Sequence, residues 1–176
     1  MHDVFSQGYD CVMTRILLLL LLSSTAFYGQ STPTRPSFES YPAKRIYQGT
    51  PARPILGKDQ RSFRTRIRDG AKSPVEFAGH YTLPRFGCGA GCSAFFIVDS
   101  VTGKVYDGFG VADLPGQWIE KQAGDPPLRI QFIASSRLLK INGCPNEHNC
   151  GYYDYVMVDG KGLKLVDKWL LPQEFQ

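Results

Sequence analysis

The chain of 176 residues is 43% hydrophobic and 20% charged, enough apolar content at that length for one domain with its own core, expected as a monomer. Its net charge of +4 is unevenly spread: residues 35–72 carry ten Lys/Arg against three acids, and residues 73–176 carry nine against eleven. No recognised nucleic-acid motif accompanies the basic third, so nucleic acid is not an expected partner.

Residues 1–30 read as a signal peptide. Met13-Thr14-Arg15 is a short positive segment, Ile16 to Leu22 an aliphatic run, and Ser23-Ser24-Thr25-Ala26 a small-residue stretch. Seven apolar residues fall well short of the roughly 20 that span a bilayer. Cleavage is expected between Ala26 and Ser31, which gives a periplasmic or secreted product. Initiation at Met13 would leave out Cys11.

Residues 31–57 hold Pro33, Pro36, Pro42, Pro51 and Pro54 with little apolar periodicity, the signature of an extended linker or wrapping arm. The domain proper is expected over 58–176. It opens with a short helix over 59–69, with Asp59 as cap, Phe63 and Ile67 on one face and Gly70 as terminator. Arg61, Arg64 and Arg68 line the opposite face. They offer a surface for an anionic partner, although a solvated face with stems lying on apolar surface is the plainer reading.

From Phe77 onward the pattern shortens to strands, at 80–86, 94–99, 128–134, 136–142, 152–159 and 163–169, rich in β-branched and aromatic residues. Leu128, Ile130 and Phe132 alternate with Arg129 and Gln131, which predicts one dry face. Gly103 marks a hairpin between Ile97-Val98 and Val105-Tyr106, and Asp159-Gly160 suits a type I′ turn. Asp107 to Pro127, with four glycines and three prolines, reads as a long irregular loop. The fold class is α+β, mainly antiparallel β: one short N-terminal helix packed on a meander-like sheet, with a small sandwich or barrel as the alternative.

Four cysteines lie within 58–176: Cys88, Cys92, Cys144 and Cys150. Cys-x3-Cys lies within zinc-ligand spacing, but Cys144-x5-Cys150 is wider, and thiolate sites need reduced sulfur. Thiol exchange favours Cys-x-x-Cys at a helix start, whereas "SAFFIVD" after Cys92 reads as strand. An even set in an exported chain favours disulfides, and local pairing is the simplest of three connectivities. Side by side, the two loops would make a rigid, glycine-rich rim.

"FAGHYTLPRFGCGAGC", "VDSVTGKVY", "SRLLKINGC" and "YYDYVMVDGKGLKLV" occur in that order. Over roughly 63–166 the chain resembles a group of small exported bacterial proteins of unassigned role. The resemblance implies a bacterial envelope location and one compact domain, and carries no catalytic residues.

His80, Arg85, His148, Tyr152 and Tyr153 are the candidate binding residues. Each has a plainer reading as a hydrogen-bonded strand residue, a solvated loop residue or core. Asp99, Asp107 and Asp113 offer carboxylates, yet Asp99 and Asp107 sit beside Gly103 and Gly108 as turn residues would. No nucleophile-elbow, metalloprotease or phosphate-loop motif occurs, and no cofactor, metal site or catalytic set is assigned. The leading expectation is a non-enzymatic binding or inhibitor-type module for an unknown protein or envelope component. The alternative is an envelope hydrolase or transferase using His80 with an aspartate.

Overall fold

A computed structural model describes residues 34–122, 124–125 and 127–176; residues 1–30, expected as a signal peptide, and residues 31–33 of the arm lie outside these. Eight strands form one antiparallel sheet: β1 (Tyr81–Thr82), β2 (Arg85–Gly89), β3 (Cys92–Asp99), β4 (Val105–Ala112), β5 (Ile130–Gln131), β6 (Leu138–Pro145), β7 (Gly151–Val158) and β8 (Gly162–Leu170). The order is β1-β3-β4-β6-β7-β8, with β2 continuing β1 along one edge of β3 and β5 flanking β6. Among the described residues two short α-helices complete it, α1 (Arg64–Gly70) and α2 (Gly116–Ile119). Among the described residues no helix is long and apolar enough to cross a membrane.

The sheet coils on itself. Tyr81, on the first edge, donates its hydroxyl to Asp159 Oδ1 at 3.2 Å in the β7–β8 turn, and Lys104 Nζ in the β3–β4 turn reaches Gly160 O at 3.0 Å. The enclosed face carries the main core, built from Phe77, Tyr81, Leu83, Phe95, Ile97, Val111, Leu139, Ile141, Tyr153 and Met157. Period-2 alternation sends Phe96 and Val98 of β3 to the other face, where Ile67 and Ala71 cover them. At the far end of that outer face, Cys144, Cys150, Leu114, Leu171 and Phe175 form a third cluster with Trp118 and Trp169.

Several local expectations change. The segment 59–69 is not one capped α-helix: Asp59–Phe63 is a 3-10 segment with no side-chain cap, and α-helix starts at Arg64. Residues 107–112 are strand rather than loop. Strand β4 bulges at its glycines: Ala94 pairs Gly110 whereas Phe96 pairs Asp107, one extra residue on β4. The strand expected over 128–134 shrinks to two residues, with Leu128 73% exposed. The β3–β4 hairpin has Gly103 left-handed at φ 78°. The β7–β8 turn is not type I′, because only Gly160 of the pair has positive φ and the loop between Val158 and Gly162 is three residues long.

The proline-rich arm lies along the domain. Its backbone amides at Ala43, Tyr47, Ala52 and Ile55 donate to Ser135, Gly79, Ser100 and Gly103 at 2.7–2.8 Å. Arg35 anchors its start. The guanidinium forks onto Asp154 (Nε to Oδ2 3.0 Å, Nη2 to Oδ1 2.6 Å) and reaches Asn142 Oδ1 at 2.5 Å. Asp154 is almost fully buried on the outer face of β7. Beside it, burial first and Arg35 second hold the Lys140 amine below its ordinary pKa.

Candidate functional site

The strands run between two ends with different chemistry. Cysteine bridges Cys88–Cys92 and Cys144–Cys150 occupy one end, so local pairing holds and the four sulfurs are spent on covalent links. They stand next to each other: Cys92 pairs Ala112, and Ala112 pairs Cys144. Gly110 lies between them, its missing side chain leaving room 3.7 Å from both Cys88 and Cys92 Sγ. Backbone bonds close the seam, from Asn146 N to Gly110 O and from Asp113 N to Gly91 O, each 2.8 Å. Arg129 fastens it further through Asp113 and Ser93 Oγ.

The tips beyond this seam are exposed. Gly87–Gly91 form a tight hairpin end rather than a free loop, since β2 pairs β3 up to Gly89. In the second ring Asn146, Glu147 and Asn149 all hold positive φ, a conformation that asparagine tolerates better than most residues. His148 is exposed there and borders a hollow of about 520 Å³ with Leu170, Leu171 and Gln176. Each small ring adds about 2 kcal/mol by loop entropy. Reduction is therefore expected to lower the unfolding free energy by about 4 kcal/mol in total, read by urea titration with and without reductant. A change below about 1 kcal/mol would show that the bridges shape the tips without stabilising the fold.

His80 sits at the other end, about 23 Å away at strand rise. It lies where three hollows meet, of about 420, 510 and 640 Å³. The turn that presents it is strained: buried Ala78 has φ 47°. Ser136 O and Ala134 O accept from Ala78 N and Gly79 N, and Gly79 O accepts from Tyr47 N. Tyr81 beneath is neutral: burial, then the Asp159 charge, drive its phenol far above the usual range. Neither nearby carboxylate bonds His80 among the described residues. Asp99 accepts from Val101 N, Thr102 N and Thr102 Oγ1, and Asp159 accepts from Tyr81.

The candidate binding residues are thus divided. His80 stands alone at its end. Arg85 lies on the β2 edge, 3.4 Å from Glu76 and with its guanidinium 4.9 Å over the Phe132 ring. Tyr153 belongs to the core and donates its hydroxyl to Asn149 O. Tyr152 faces outward, half-buried, accepting from Trp118 Nε1 at 3.1 Å and lying under Arg35. Only His148 is a free tip residue beside the bridges. Arg61, Arg64 and Arg68 are exposed on α1 and the turn before it. Arg129 and Asp113, which tie the seam, carry no local signal beyond charge, because they lie 16 residues apart and meet only where the chain returns past α2 to β5.

The chain matches no family model, no curated protein and no solved structure. Its function is read from the two ends alone.

Proposed function

We propose that the protein is an exported bacterial envelope protein, akin to the group its motifs resemble, that acts as a non-enzymatic binding or inhibitor-type module. The stapled end is its binding surface. The observation that carries this reading is the adjacency of the two bridged tips, joined through Gly110 and Asp113. Rigid tips lose little conformational freedom on contact, so more of the contact energy is left for affinity. Disulfides persist in oxidising compartments, in keeping with a periplasmic or secreted location.

The test uses two exposed tip residues. Ala90→Arg and His148→Arg should each weaken capture of a protein from envelope extract about tenfold or more, while the melting temperature holds. His80→Ala, at the opposite end, should capture as well as the parent chain. Equal capture by the tip variants, or loss with His80→Ala alone, would move the binding surface away from the bridges and defeat the proposal.

A further inference from the structure

We propose that the hollow beside His80 is a second site, an anion pocket for a phosphoryl group. It does not depend on the role of the stapled end. The hollow of about 510 Å³ is lined by Lys44, Arg45, His80 and Arg137, with one carboxylate, Asp159, and an apolar floor that includes Ala78 and Val158. Asp159 is already engaged by the Tyr81 hydroxyl. The hollow thus sets three basic side chains against one carboxylate.

None of the three cations forms a salt bridge among the described residues, where the ion pairs are Arg35–Asp154, Lys72–Asp69, Arg85–Glu76 and Arg129–Asp113. The one bond from the Arg137 side chain is a 3.4 Å contact from Nε to Pro42 O, which leaves most of its five donors unused. Gathering like charges without a counterion opposes folding. Here the backbone enforces it: Ala43 N to Ser135 O and Arg137 N to Tyr41 O, both 2.8 Å, clamp the arm beside the segment before β6. Tyr47 N to Gly79 O at 2.7 Å then locks the arm onto the His80 turn.

One further feature suits a ligand. The left-handed alanine at position 78 is a costly conformation of the kind that collects at functional sites. Next door, Arg45 and His80 share a 420 Å³ hollow with Asp99, Tyr47 and Thr102, whose hydroxyls already donate to Thr50 O and Asp99, so the anion is assigned to the 510 Å³ hollow. Two guanidiniums and an ammonium lining one hollow match the charge and the several acceptor oxygens of a phosphoryl group better than a single carboxylate. A free phosphate ester and a phospholipid headgroup share that chemistry.

Pyrophosphate titrated into the full chain with its disulfides intact, followed by amide chemical shifts, should saturate and move residues 44–47, 78–80, 137 and 158–160. Arg45→Ala and Arg137→Ala should each weaken binding about tenfold or more while the melting temperature holds or rises, since each relieves like-charge repulsion. Ala90→Arg should bind pyrophosphate normally, so this result stands or falls apart from the role of the bridged tips. Co-sedimentation with phosphatidylglycerol vesicles, abolished by Arg45→Ala and absent with phosphatidylcholine, would assign the pocket to a headgroup. Pyrophosphate binding without vesicle binding would assign it to a soluble ester. The proposal is overturned if no saturable shift occurs, or if the double variant Arg45→Ala/Arg137→Ala binds like the parent.

Discussion

Arg35→Ala is expected to lower the unfolding free energy by about 3 kcal/mol, read from the denaturant midpoint at constant m-value. The reason is the partner left behind. The Asp154 side chain is 2% exposed, and removal of the fork leaves a carboxylate inside the protein with Lys140 as its nearest compensation. The favourable worth of the pair is much smaller than the cost of breaking it, because both ions were desolvated to form it. Arg35→Ala/Asp154→Leu should accordingly recover most of the loss. A single-variant loss under about 1 kcal/mol, or a double variant as unstable as the sum, would mean that water reaches Asp154 and that the anchor contributes little.

Gly143→Ala should cost about 3 kcal/mol through a different cause. A Cβ at this position would stand 2.3 Å from Ala112 O and 2.7 Å from Val111 Cγ1, so β4 and β6 must move apart. Those strands meet at two residue pairs only, Val111 with Pro145 and Ala112 with Cys144. Separation there should unseal the sheet at its junction while β6–β7 stays paired. Hydrogen exchange resolves the two: the amide of Asn146, bonded to Gly110 O, should lose protection, and those in the middle of β7 should keep it. Unaltered protection at Asn146 would show that the junction adapts to a methyl group.

What the sequence revealed was local. Asp99 and Gly103 carry their turn within five residues, and the side chain of Asp99 completes it. The cysteine rings close over separations of four and six residues, so their pairing was legible from spacing. Tyr153, for which core was the plainer reading, lies in the core, and Tyr155 two residues on packs against it. Strand β4 was hidden because Gly108 and Gly110 lower strand propensity, whereas the bulge needs glycine at 108: a Cβ there would stand 2.1 Å from Phe95 O across the pair. The short β5 was overestimated because alternation in 128–134 marks which side chains face inward, not how far a neighbour extends. The split of the binding candidates between two ends follows from strand direction, which no residue type encodes.

The arm has a consequence for the order of assembly. Arg35 is synthesised 119 residues ahead of Asp154 and 107 ahead of Asn142, and a chain leaves the ribosome amino end first. Its docking partners do not exist when it emerges. The first described segment to be made is therefore among the last to settle, through contacts of long sequence separation that close slowly. Until then the pocket beside His80 lacks Lys44 and Arg45, and the β6–β7 hairpin carries an unpaired buried acid. Completion of the molecule waits on its own beginning.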